Sequence, residues 1–295
     1  MSAPSAVPSA PLTFSCTDGR VLHGHVFEVP DLQELRGTVV IASATAVKAG
    51  YYHRYAAFLA SNGFRAVTFD YRGIGDSRGG SLRGQKMRWY HWGSLDIDVV
   101  LAWGLAHSGG MPVHCVGHSF GGFGVGLAGH AADLGRILTV GAQHAYWRDL
   151  RFRHKAAHWG RCLVSVPLVG IFGYFPCKRL GVMEDLPRGV ALDWARSRKD
   201  FTAAATGVER DALRAHQAAV TAPILALAPD DDSYATLAAM ARAVAYTPNS
   251  ATRIIQLRPA DYGQTSLGHF ALFHSRFRHT FWQQTLEWLR DGVWE

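Results

Sequence analysis

Four cysteines in 295 residues, at positions 16, 115, 162 and 177, show no disulfide framework and no metal-ligand spacing. That argues against a stapled secreted scaffold and makes a reducing compartment, the cytoplasm, the expected location. No apolar run reaches the length of about 18 residues that a transmembrane helix needs. Residues 1–11 are rich in Ala, Ser and Pro and have neither a basic start nor a hydrophobic stretch, so they read as a flexible lead-in and not as a secretory signal. Acidic residues are the minority, 23 against 30 Lys and Arg, giving a formal charge of +7. The basic residues are scattered, without a dense run or an interleaved recognition motif, so no nucleic-acid partner is expected. The richest local group (Arg148, Arg151, Arg153, Lys155 and Arg161) is expected to face water. No G-K-S/T phosphate loop occurs. Gly73-Ile74-Gly75 lacks the third glycine and the helix-opening pattern of a dinucleotide fingerprint. His154 and His158 stand at i, i+4, but the glutamate of H-E-x-x-H is missing and no third ligand suggests itself. They read as surface histidines. No metal and no cofactor are expected.

What the chain does have is apolar content, 48% of its residues, arranged in an alternating order. Leu12–Cys16 and Val21–Val29 read as strands joined by the Asp18-Gly19 turn. Gly37–Ala42, Phe64–Phe69, Arg136–Gly141, Pro223–Ala228 and Arg253–Leu257 read as further strands. Tyr51–Ser61, Trp89–Ala106, Ser233–Ala245 and Ser275–Leu289 carry helical spacing. Strands alternating with helices predict an α/β fold, a mostly parallel sheet with helices on both faces. Between Gln143 and Thr221 the alternation stops, and aromatic and basic residues take over. The expected organisation is a core of 12–142 and 222–295 with an inserted cap, or lid, of 143–221.

The chemistry-bearing motif is Gly117-His118-Ser119-Phe120-Gly121, a G-x-S-x-G nucleophile elbow. An apolar run, Met111–Val116, precedes it, and the small-residue run Gly122–Ala128 follows. Strand, sharp turn and tightly packed helix are the setting the motif requires. The serine needs a strained backbone to expose its hydroxyl, and a Cβ at either glycine would clash with neighbouring backbone. A serine hydroxyl needs a base beside it. Downstream, a strand-like run ends in Asp230-Asp231-Asp232, and Gly268-His269-Phe270 occupies a later loop. The expected roles are nucleophile for Ser119, general base and acid for His269, and orienting acid for Asp232, with Asp231 as the neighbouring alternative. His118 belongs to the elbow, and its side chain is expected to point away from Ser119. Two backbone N–H groups, of Phe120 and Ala46, are expected to form the oxyanion hole. Trp147, Trp159, Phe172, Tyr174 and Phe175 are candidates for an apolar acyl pocket or for the inserted segment's own core.

These residues carry a resemblance to the α/β-hydrolase superfamily over nearly the whole chain. Asp70-Tyr71-Arg72-Gly73-Ile74-Gly75-Asp76-Ser77 is similar to that family's D-x-R-G-x-G-x-S loop. Gly117–Gly121 matches its elbow, Asp232 its acid position and His269 its histidine. More narrowly, Gly173–Pro176, Leu186–Val190 and Gly268–Phe270 resemble a bacterial group of predicted serine hydrolases of unassigned substrate. The family often has His-Gly after the early strand, where this chain has Ala44-Thr45-Ala46-Val47. The resemblance implies an esterase-like serine hydrolase that works through an acyl-enzyme on a small ester or related acyl compound. An acyltransferase using the same three residues, and a silent binding module on the same fold, are the alternatives. A serine at the elbow disfavours epoxide hydrolases and dehalogenases, which carry a carboxylate there.

Overall fold

The computed structural model describes residues 7–31, 33–181, 183–196 and 198–294; within the long helix 152–172, the side chains of residues 153, 157–159 and 161 lie outside the description. Among the described residues, ten strands and eight α-helices follow in chain order. They are β1 (Ser9–Ser15), β2 (Val21–Phe27), β3 (Gly37–Ala42), α1 (His53–Ala60), β4 (Phe64–Phe69), α2 (Asp98–Ala106), β5 (Val113–His118), α3 (Phe120–Gly124) and β6 (Arg136–Val140). Then come α4 (Phe152–Phe172), β7 (Tyr174–Phe175), β8 (Leu186–Pro187), α5 (Arg188–Arg196), α6 (Gly207–Ala219), β9 (Ile224–Pro229), α7 (Leu237–Val244), β10 (Thr252–Leu257) and α8 (Phe281–Asp291).

Eight strands form one sheet in the order β1-β2-β4-β3-β5-β6-β9-β10. The β1–β2 and β2–β4 pairs are antiparallel, and every later pair is parallel. Strands β3, β5 and β9 are buried at every position. Each is covered on both faces, which is why β9 and most of β3 read in the sequence as runs of Val, Ile, Leu and Ala, while β5 buries two histidines and a cysteine among its residues. One buried cluster, with Val40, Leu101, Phe120 and Ile137, lies on one side of the sheet. The other, with Val39, Phe58, Leu138, Leu227 and Trp282, lies on the opposite side. Alternate residues of β3 supply the two clusters, as a period of two requires.

The helices differ more from expectation. The Tyr51–Ser61 helix opens with a 3-10 turn, Ala49–Tyr52, before α1. The Trp89–Ala106 segment begins as a π-helical turn, Trp92–Ile97. This wide turn buries the Trp92 indole, stacked on Tyr71 at 4.7 Å, and its Nε1 donates to the Arg72 carbonyl. Arg72 in turn is 1% exposed and paired with Asp96 at 2.6 Å and Asp18 at 2.6 Å, so the D-x-R-G loop is clamped to both the hairpin turn and the π-turn.

Among its described residues, the segment between β6 and β9 contains α4, β7, β8, α5 and α6, with different partners. α4 and α5 pack on each other and on β7. α6 instead lies against residues 125–133 of the core, where His216 Nδ1 bonds the Leu127 carbonyl at 2.9 Å. The insertion expected over 143–221 therefore includes one helix, α6, that packs on residues 125–133 of the core. The short antiparallel β7–β8 pair carries no alternation long enough to be read from sequence.

Candidate active site

Ser119 sits where β5 passes into α3, with φ 54° and ψ −119°. Its N–H donates to the Val140 carbonyl at 2.8 Å, which straps the elbow to the end of β6. A Cβ on Gly121 would lie 2.2 Å from the Ala42 carbonyl oxygen of β3, and one on Gly117 would lie 2.4 Å from the Gly122 Cα. The turn is thus tight against its neighbours on both flanks, as the motif's glycines require. α3 lasts only five residues before a 3-10 turn, Val125–Leu127, takes over.

His269 and Asp232 meet at the adjoining strand ends. His269 Nδ1 lies 2.6 Å from Asp232 Oδ2. Asp232 Oδ1 accepts the N–H groups of Tyr234 at 2.8 Å and Ala235 at 3.1 Å. Burial raises the affinity of the Asp232 carboxyl for a proton, but the charge and hydrogen bond of His269 and the two backbone donors outweigh it and hold the group below its ordinary value. Asp231 points elsewhere: it accepts from Ser266 Oγ and from the N–H groups of Leu267 and Gly268, fastening the loop that carries His269. With Asp232 accepting at Nδ1, Nε2 is left as the imidazole's acceptor nitrogen.

Ser119 and His269 both line one cavity of about 360 Å³. Among the described residues, the hydrogen-bond partner of Ser119 Oγ is Gln143 Nε2, at 3.2 Å, and no bond from the hydroxyl to the imidazole is present. The rest of the lining is largely apolar, with Trp89, Val164, Phe175, Leu180, Met183, Trp194 and Phe270, and the described lining holds no Asp, Glu, Lys or Arg.

Of the aromatic residues expected to form an acyl pocket, Phe175 lines the cavity. Trp147, Phe172 and Tyr174 do not; each instead lies under an arginine, with Arg148, Arg179 and Arg78 at 5.2, 5.3 and 5.9 Å from the respective rings. The side chain of Trp159 lies outside the described residues. So do those of Arg153, His158 and Arg161. Trp89 and Trp194 take the places of the expected aromatics; they stand on the 85–91 loop and on α5, and no local pattern marks either as lining.

The turn after β3 reaches the same cavity. Ala44 and Thr45 line the cavity, whereas Ala46, expected to supply a donor, is 2% exposed and outside the lining. Ala46 adopts φ 59°, and Val47 N–H donates to the Ala44 carbonyl at 3.2 Å, so the chain turns away after Thr45. The Ala44 N–H is already given to Tyr52 Oη at 3.0 Å.

His118 is wholly buried, its Nδ1 2.7 Å from Tyr52 Oη and its Nε2 2.8 Å from the His269 carbonyl oxygen. Tyr52 Oη accepts from Ala44, so its own proton goes to His118 Nδ1, and Nε2–H then donates to His269. Burial, with the His269 charge adding to it, pushes His118 down to about 3, so the imidazole is neutral at ordinary pH. The expectation that it turns away from the nucleophile agrees with these bonds. Its tie to the His269 loop was not legible in sequence.

A strained serine at an elbow, a carboxylate-bound histidine and an eight-stranded sheet of this order define the class. The fold of the chain is that of the α/β-hydrolases. Residues 33–160, less than half the chain, match the family described as serine aminopeptidase, S33. No curated protein matches the sequence. Among solved structures it is similar to a soluble variant of monoglyceride lipase from Saccharomyces cerevisiae in complex with a substrate analogue, with TM-score 0.68 and 15% identity over 100% of both chains. It is also similar to a monoacylglycerol lipase from Paleococcus ferrophilus, with TM-score 0.59 and 15% identity over 92% of this chain and 99% of that one. An esterase from Pyrococcus furiosus gives TM-score 0.60 and 12% identity over 96% and 91%. At such identities the likeness is one of fold. Among the described residues, no helix is long and apolar enough to cross a membrane.

Proposed function

We propose that this protein hydrolyses carboxylic esters with an uncharged, apolar acyl group through a serine acyl-enzyme. The observation that carries the reading is a single cavity lined by a positive-φ elbow serine and by an imidazole whose far nitrogen is bound to a buried carboxylate. Ser119 Oγ attacks the carbonyl carbon while its proton passes to His269 Nε2. Asp232 holds the imidazole in the required tautomer and stabilises the imidazolium. The protonated His269 then gives that proton to the departing alkoxide. Water, deprotonated by the same nitrogen, cleaves the acyl-enzyme and releases the acid.

The charge on the tetrahedral oxygen is met by two backbone donors, Phe120 N–H and Thr45 N–H. The second donor comes from the turn after β3, where Thr45 lines the cavity and the Ala44 N–H is spent on Tyr52. The acyl group lies along Val164, Phe175, Leu180, Met183 and Trp194, all from the segment between β6 and β9, which acts as the cap. The structural relatives whose names describe lipases and esterases support an ester substrate. A cavity of this size with few polar groups suits a small apolar ligand.

A fluorophosphonate probe tests the mechanism, because it traps only an activated serine. Folded protein is expected to be labelled at Ser119, with labelling and p-nitrophenyl ester hydrolysis both abolished in Ser119→Ala. An unlabelled Ser119 in folded protein would falsify the reading.

A further inference from the structure

Gln143 touches the reacting oxygen, and no motif singled it out. It stands three residues beyond β6, is 7% exposed, and sends Nε2 to Ser119 Oγ at 3.2 Å. An amide's two ends differ chemically, so its orientation decides its role. Here the backbone sets it. Gln143 Oε1 accepts the N–H of Ala145, a residue held at φ 59°. A backbone N–H can only donate, so the oxygen of the amide must face it. The NH₂ end is then the end turned to the nucleophile.

This arrangement constrains the serine. The NH₂ group is a donor only, so Ser119 Oγ must accept from it. The hydroxyl proton is not consumed by that bond and stays available to His269 Nε2. As the proton leaves, negative charge grows on Oγ until the bond to carbon forms, and a donor to an anionic oxygen is stronger than one to a neutral hydroxyl. We propose that Gln143 is a further catalytic residue, whose amide N–H fixes Ser119 Oγ as an acceptor, directs the hydroxyl proton to His269 and steadies the oxygen during attack. This rests on Ser119 being the nucleophile. The competing, purely structural role is to hold Ala145 through Oε1.

Gln143→Glu separates the two roles. It keeps volume and the acceptor for Ala145, but replaces the donor at Oγ by an acceptor that competes with His269 for the hydroxyl proton. The fluorophosphonate labelling rate is expected to fall about tenfold or more, by the scale on which single transition-state donors act. A carboxylate beside the imidazole also favours its protonated form, so the acid limb of the rate–pH profile moves to higher pH. Gln143→Met, apolar and of similar size, is expected to lose rate without that shift. Thermal melting reports folding of each; if Gln143→Glu does not fold, Gln143→Met carries the rate test. A wild-type labelling rate in the folded variant overturns the proposal while leaving the Ser119 assignment intact. Absence of labelling in the wild-type protein overturns both.

Discussion

Asp231 and Asp232 are adjacent, chemically identical and employed differently. Asp232 is 1% exposed and bonded to the imidazole; Asp231 ties three donors of the following loop, Ser266 Oγ and the N–H groups of Leu267 and Gly268. Asp232→Asn keeps the shape but offers an amide that can present its NH₂ to Nδ1 and so favour the wrong tautomer. Ester turnover is expected to fall by about 10³-fold or more with melting little changed. Asp231→Asn should leave the tautomer alone and cost about 1 kcal/mol of stability. A comparable loss of turnover in both variants would show that the two carboxylates share one role. In the sequence, three consecutive acids left the choice between these two open, because a one-residue shift is invisible without the backbone direction at the strand end. A backbone donor likewise leaves no mark in residue type, so the sequence of the turn after β3 does not choose between Thr45 and Ala46. Gln143 was invisible for another reason: its role depends on a left-handed residue two positions later, and alanine does not advertise that conformation.

Elements were legible where burial dictates composition. β3 and β4 appear with the boundaries their apolar runs suggest, because a strand covered on both faces has room for little else. Helix ends drifted into 3-10 and π turns, where a packed indole or tyrosine overrides local propensity. The region between β6 and β9 was least legible, since its cavity residues are spread over α4, β7, α5 and the turns between them, without a common period. One relation between elements has a direct consequence. Tyr52, just before α1, joins the turn after β3 to β5 and, through His118, to the His269 loop. Tyr52→Phe strands both the Ala44 N–H and the His118 Nδ1 in the interior. Leaving buried polar groups unpaired costs about 1–3 kcal/mol each. Lower melting together with slower labelling of Ser119 is the expected outcome. A melting loss with labelling at the wild-type rate would confine Tyr52 to a stabilising part.

At the scale of the whole molecule, burial of imidazoles governs behaviour in acid. Burial pushes His114 and His144 down to about 4 and His118 down to about 3, from an ordinary value of 6.5. All three are nearly enclosed, at 1, 2 and 0% exposure. Above pH 6.5 neither the folded nor the unfolded chain protonates them, so they leave stability unchanged. Below it the unfolded chain binds protons that the folded chain refuses, and stability falls as pH is lowered toward 4. Each such group contributes up to about 1.4 kcal/mol per pH unit. Two carboxyls work in the opposite sense. Burial raises Asp96 to about 6 and raises Asp70 as well, so the folded chain takes up protons there that the unfolded chain does not. The histidines outnumber them, and the net slope is expected to be about 1–4 kcal/mol per pH unit between pH 6 and 4.5. Urea unfolding across that range measures it directly. Stability that stays level or rises toward pH 4.5 would mean that these imidazoles find protons inside the fold, and that the neutral His118 linking Tyr52 to the His269 loop is wrongly drawn.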